Sequence, residues 1–213
     1  LSGRGLWLAR PIERPGRSPP EFQDGDDPAL TLRTWPAEHV AKCLVSYGAD
    51  DAAELRSVQE ERLLRLQRAC IATGHEMLLE LLPPPREAGR HGALVEAVKR
   101  LYAIGLKPDW WKLPPHDDPG HWRAMGHIVR ENDPQCRGIL VLGLEAREDD
   151  LQRSFDASAA ESLVAGFAIG RHIFWAIAEK WFAGRLSDDQ AVTQLVERYR
   201  RVLDLWRRAR AQR

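Results

Sequence analysis

Three charged residues stand inside otherwise apolar stretches of this 213-residue chain: Lys42 within VAKCLV, Glu80 within MLLELL and Lys112 within WWKLPP. An unpaired charge is costly to bury, so each needs a partner or an exit to water. Taken singly, each fits an outward-pointing side chain or a structural ion pair. Taken together on successive strands, the three suit one shared polar cluster. Two lysines with one glutamate have a specific use. A lysine is a nucleophile only when unprotonated, so its pKa must fall from about 10.4 toward roughly 7–8. Burial and a neighbouring ammonium both push it down. A nearby carboxylate can then move protons while a carbinolamine forms and collapses. The chemistry is imine formation with a carbonyl substrate.

The elements that must position these residues follow from the apolar pattern. Gly5–Ile12 reads as a short strand ending at Pro11, and Glu13–Leu30, rich in Pro, Gly, Asp and Arg, as a long loop. His39–Tyr47 reads as a buried strand. Asp50–Thr73 has Leu55, Val58, Leu63, Leu66 and Ala69 at helical spacing and meets a stop at Gly74. Strands at Met77–Leu82, Trp110–Leu113, Gly138–Leu144 and Leu163–Ile169 alternate with helices at His91–Ile104, Trp122–Glu131, Glu148–Ser162 and Arg171–Ala183. Ser187 opens a long last helix as its N-cap, with Asp188 and Asp189 following.

Near-continuous apolar strands alternating with helices predict parallel strands covered on both faces. Neither GxGxxG nor GxxxxGK[ST] occurs, which disfavours a nucleotide-binding doubly wound sheet. The expected architecture is an α/β fold, a (β/α)8 TIM barrel, forming a single domain over residues 1–213. Only about six strands are legible where a barrel needs eight. The chain opens at Leu1, almost directly on a strand, so the first one or two βα units are expected to be lacking. In such barrels the active site lies at the C-terminal ends of the strands, where the three charges stand.

Composition narrows the class further. Lys plus Arg and Asp plus Glu are both 31, for a formal net charge of zero. A neutral chain lacks the basic footprint of a nucleic-acid or membrane-surface protein. No apolar stretch is long enough to cross a bilayer. Cys43, Cys70 and Cys136 form neither a disulfide framework nor a zinc motif, and a cytoplasmic location is the natural reading.

The stretches GHEMLLELLPP, KPDWWKLPP, DPQCRGILVLGL and GFAIGRHIF resemble the aldolase-like domain of bacterial myo-inositol catabolism. That domain is often fused to 5-dehydro-2-deoxygluconokinase. More distantly the chain is similar to the class I tagatose-1,6-bisphosphate aldolases. The resemblance runs from GLWLARPIERPG to the C-terminal helix. It implies a class I (Schiff-base) aldolase, a carbon–carbon lyase, in myo-inositol catabolism. The implied reaction splits 5-dehydro-2-deoxy-D-gluconate 6-phosphate to dihydroxyacetone phosphate and malonate semialdehyde, with neither cofactor nor metal. It implies Lys112 as the Schiff-base lysine, Glu80 as the acid–base group and Lys42 as the auxiliary lysine. The substrate phosphate would meet Gly170 and Arg171. Glycine before a helix start lets backbone amides approach a phosphate, and arginine supplies bidentate contacts. Tagatose aldolases carry a small polar residue at the end of the strand before last. Here that strand ends Leu142-Gly143-Leu144-Glu145, which moves the contact to the backbone of Gly143. A GAGD-type anion hole of a kinase is not found in the sequence. The partners expected are the sugar phosphate, a fused or associated sugar kinase, and a second copy of the chain in a homo-oligomer. The competing reading is a non-catalytic phosphosugar-binding or regulatory domain attached to the kinase.

Other features weigh less. His116, Asp117, Asp118 and His121 have metal-ligand types, but their spacing matches no standard zinc motif; a solvated loop with an aspartate N-cap is the simpler reading. Trp110 shares the Lys112 side of its strand and could wall the site. Arg200, Arg201, Arg207 and Arg208 read as a solvated helix face, with Tyr199, Val202 and Trp206 turned inward.

Overall fold

The computed structural model describes residues 2–87, 90, 92–143 and 147–211. Six strands alternate with seven α-helices among these residues. They gather into two compact units, one running to Lys112 and including His127–Gly138, the other comprising Leu113–Gly126 and the chain from Ile139 on.

The first unit holds β1 (Leu8–Pro11), α1 (Pro28–Leu32), β2 (His39–Ser46), α2 (Ala53–Thr73), β3 (Met77–Leu82), α3 (Ala93–Ala103) and most of β4 (Trp110–Leu113). Its strands pair in parallel in the order β1-β2-β3-β4. Alternation along each strand separates two faces. On β2, Ala41, Cys43 and Val45 are buried, while Lys42, Leu44 and Ser46 keep some exposure. On β4, Trp111 and Leu113 are buried, and Trp110 and Lys112 are half-buried. The fully buried face of these strands is apolar, and the charges stand on the other.

Helix α2 is a 21-residue element that stops at Gly74, whose φ of 73° is the left-handed conformation a helix C-terminus uses. The backbone amide of His75 donates to the Cys70 carbonyl at 3.0 Å to close the motif. Its inner stripe differs from expectation. Leu63, Leu66 and Ala69 are buried, but Val58 is 36% exposed and Gln59 and Glu60 are buried in its stead. Gln59 donates from Nε2 to the Ser46 carbonyl at 2.7 Å, and Glu60 accepts from the Tyr47 hydroxyl at 2.6 Å and the Arg100 guanidinium at 2.9 Å. The C-terminal end of β2 is tied down by polar contacts that a hydrophobic pattern does not register.

Glu13–Leu30 is less of a loop than its composition suggests. Ile12 continues the β1–β2 ladder through its amide, 2.9 Å from the Lys42 carbonyl, after Pro11, which has no N–H to give. Glu13 then bridges Phe22 in antiparallel fashion, and α1 starts at Pro28 under an Asp27 cap.

The second unit contains a parallel pair, most of β5 (Gly138–Leu142) with β6 (Val164–Ala168), and the helices α5 (Glu148–Ser158), α6 (Arg171–Phe182) and α7 (Asp188–Ala211). Ser187 caps α7 reciprocally with Gln190: its hydroxyl accepts from the Gln190 amide at 3.2 Å and its amide donates to Gln190 Oε1 at 2.9 Å. Val202, Leu205 and Ala209 form the inward stripe of α7; Tyr199, expected inside, is 51% exposed. Trp206 packs edge-on to Phe155 with ring centroids 5.3 Å apart. Helix α4 (Pro119–Asn132) starts beneath Asp118, whose carboxylate accepts from the Gly120 amide at 2.7 Å. His116 and His121 stack face to face with centroids 4.0 Å apart. No group of three or more ligating side chains suited to a metal occurs among the described residues. Nor is any described helix long and apolar enough to cross a membrane.

Candidate active site

Register decides which charges meet. Pro11 pairs with Lys42, Lys42 with Leu78, and Leu78 with Trp110, forming one row across β1–β4. One step toward the C-terminal ends, Leu44 pairs with Glu80 and Glu80 with Lys112. Lys42 therefore lies two residues below the row of Glu80 and Lys112, on the same face, and its four-carbon stem spans the difference.

The side chains join into a chain of alternating charge. Lys42 Nζ lies 2.9 Å from Glu80 Oε2, and Lys112 Nζ lies 3.2 Å from the same oxygen. A fourth member was not anticipated: Glu13 Oε1 accepts from Lys42 Nζ at 2.6 Å. The side chains of Lys42 and Lys112 are 17% and 15% exposed, those of Glu13 and Glu80 9% and 7%. The site is sheltered, yet both lysine side chains keep some exposure.

The two lysines are driven in opposite directions. Burial pulls Lys42 down, but the carboxylates of Glu13 and Glu80, in contact on either side, outweigh it and raise its pKa above the ordinary lysine value. For Lys112 burial prevails. Glu80 offsets part of it, the Lys42 ammonium adds to it, and the pKa is lowered. One lysine is thus held as a fixed cation, while its neighbour is moved toward the free amine. Cys43, on the opposite face of β2, has its thiol pushed up by burial, the Glu13 charge adding to the effect.

Lys42, Glu80 and Lys112 thus come together as the apolar interruptions suggested. Glu13 escaped the sequence reading because it opens a Pro/Gly-rich segment without periodicity. The available signal was its place two residues past Pro11, at the C-terminal end of β1. Trp110 has a different role from the wall expected of it. Its indole N–H donates to Glu76 Oε2 at 2.7 Å and its ring meets Trp7 edge-on at 5.4 Å. Glu76 precedes β3 and Trp7 precedes β1, so these contacts lie at the N-terminal ends of the strands. On the far face Trp111 donates to the Tyr102 hydroxyl at 2.8 Å.

The residues expected at a phosphate belong to the second unit. Gly170 precedes α6, and its carbonyl accepts from the amides of Ile173 at 2.8 Å and Phe174 at 3.1 Å. Gly170 has no side chain with which to cap this helix, and Arg171 is exposed at its start. Gly143 has a packing reason to be glycine: a Cβ there would stand 2.8 Å from Ile169 Cγ2. Leu144 and Glu145, named above as the end of this strand, lie outside the described residues.

A family model described as "Uncharacterized protein conserved in bacteria (DUF2090)" matches residues 1–210. No curated protein matches the chain. Solved structures do. A fructose-bisphosphate aldolase from Plasmodium falciparum, crystallised with TRAP and a small-molecule inhibitor, superposes with a TM-score of 0.60 at 12% identity, over 93% of this chain and 68% of that one. A protein of Corynebacterium glutamicum gives 0.54 at 20% identity, over 88% and 62%. A fructose-bisphosphate aldolase from Slackia heliotrinireducens gives 0.52 at 12% identity, over 84% and 59%. At such identities the likeness is one of fold: an α/β chain of parallel strands resembling part of the aldolase barrels. The chain spans about three fifths of the length of the latter two proteins.

Proposed function

The chain belongs to the DUF2090 family, and we propose that it is a metal-independent class I aldolase acting on a phosphorylated keto sugar. The observation that carries this reading is the pair of lysines sharing Glu80, one held charged and the other moved toward the free amine. A structural ion pair has no need of a second lysine whose pKa is lowered.

Lys112 attacks the substrate ketone through its free amine. Glu80, 3.2 Å away, carries protons as the carbinolamine loses water and the iminium forms. The iminium draws in the electrons of the bond between its α- and β-carbons as that bond breaks, leaving an enamine, while the β-hydroxyl passes its proton to Glu80 and becomes the aldehyde product. Protonation of the enamine carbon and hydrolysis of the iminium then release the ketone product and free Lys112. Lys42 stays protonated, disfavours protonation of Lys112 and orients Glu80. Gly170, Arg171 and the Gly143 backbone are assigned to the phosphate, on the resemblance and on the glycine that stands before α6. The resemblance to inositol catabolism extends the proposal to 5-dehydro-2-deoxy-D-gluconate 6-phosphate as substrate, to a fused or associated sugar kinase, to a homo-oligomer and to the cytoplasm.

The test is borohydride trapping. Dihydroxyacetone phosphate with sodium borohydride should add the reduced sugar covalently, and peptide mapping should place it at Lys112. Lys112→Arg, whose guanidinium stays protonated, should abolish the adduct. EDTA should leave trapping unchanged. Sugar phosphate binding without any adduct would refute the aldolase reading in favour of a phosphosugar-binding module.

A further inference from the structure

Glu13 is bound into the site by one oxygen only. Oε1 meets Lys42 at 2.6 Å, whereas Oε2 is buried with no hydrogen-bond partner. Its backbone is held from both sides: the Arg14 amide donates to the Glu21 carbonyl at 2.7 Å, and Gln23 Nε2 donates to the Glu13 carbonyl at 3.2 Å. Among the described residues its carboxylate acts on Lys42, in contact, and on Lys112 beyond it, with Glu80 between the two lysines, and also on the buried Cys43 thiol on β2. A buried carboxylate oxygen without a donor is expensive. Neither anchoring β1 nor pairing Lys42 demands it, because Glu80 already pairs that ammonium at 2.9 Å.

A count of charge supplies a reason. Glu80 and Lys42 cancel one another. With Lys112 as the free amine, Glu13 leaves the quartet with one negative charge in excess. Condensation with a ketone takes up one proton and releases water, converting the neutral amine to an iminium cation, and the quartet becomes neutral.

We propose that Glu13 is a positioning residue whose charge, relayed through Lys42, makes the site complementary to the cationic iminium on Lys112 rather than to the free amine. The effect is electrostatic preorganisation, with the counter-charge in place before the cation exists. The inference rests on the imine-forming role of Lys112 and adds a carboxylate that acts without touching substrate.

Removing the charge has two opposed consequences. Glu13 favours protonated Lys112, so Glu13→Gln should extend the free amine to lower pH and move the acid limb of imine formation with it. The iminium meanwhile loses its counter-charge, so the fraction trapped by a brief borohydride pulse at saturating dihydroxyacetone phosphate should fall about tenfold, the equivalent of one pKa unit. Glu13→Asp, which keeps the charge, should restore most of the yield. Glu13→Ser provides a second neutral variant should the glutamine variant fail to fold. A residue that merely braced β1 would lower yield with unfolding and leave the pH profile in place. Wild-type yield and pH profile in a folded neutral variant would overturn this proposal alone. Absence of trapping in the wild-type chain would overturn it together with the aldolase reading.

Discussion

Replacing Glu80 by glutamine isolates the group through which the two lysines communicate. Glu80 Oε2 stands 2.9 Å from Lys42 and 3.2 Å from Lys112 in a side chain only 7% exposed. At 3.2 Å and an effective dielectric of about 20, opposite unit charges attract by about 5 kcal/mol, an upper figure before desolvation and side-chain ordering are subtracted. An opposite charge this near typically moves a pKa by about 1–3 units. Glu80 is the leading influence opposing the depression of Lys112, so its neutralisation should lower the Lys112 pKa further by about that amount. Lys42 keeps Glu13 at 2.6 Å and should remain protonated. Carbon-13 NMR of the lysine Cε resonances, titrated from pH 6 to 11 in wild type and variant, reads both groups at once. Turnover should nevertheless slow by about 10²–10⁴-fold, because the amine would be free while the group that moves its protons is gone. A Lys112 midpoint that stays put or rises in Glu80→Gln would refute the electrostatic argument. A lowered midpoint with undiminished turnover would remove Glu80 from proton transfer.

Two further outcomes follow from the same geometry. Lys112 has a folded-state pKa below its unfolded value, so the unfolded chain binds more protons between the two, and this group's penalty on stability is full below the folded pKa and fades as pH rises toward about 10.4. Thermal melts of Lys112→Met should therefore show an advantage over wild type at pH 7 that shrinks by pH 10; an advantage that grows with pH would contradict the lowered pKa. Gly143→Ala would set a Cβ 2.8 Å from Ile169 Cγ2 and should cost about 1–3 kcal/mol by overpacking, read by urea denaturation; a neutral substitution would show that Ile169 yields freely.

Much of the architecture can be read in the chain itself, because strands shielded on both faces need unbroken apolar runs and helices need glycine or polar stops. MLLELL and WWKL are strands at the expected residues, Gly74 ends α2 in the left-handed conformation, and Ser187 caps α7. The charges inside the apolar runs announced a polar cluster because a lone ion is too costly to bury. Sequence could not reveal the register that sets Pro11 beside Lys42 and so carries Glu13 to within 2.6 Å of its ammonium. That contact joins residues 29 positions apart, and nothing local in a Pro/Gly-rich segment marks it. Nor could periodicity foresee Glu60 buried in α2 where Val58 was expected, since its place depends on Tyr47 and Arg100 arriving from other elements. The opposite fates of the two lysines are tertiary for the same reason. Both are buried, and only distance in space gives Lys42 two carboxylates and Lys112 one carboxylate beside an ammonium. Residue types marked where charges would have to pair; packing decided which lysine is raised and which is lowered.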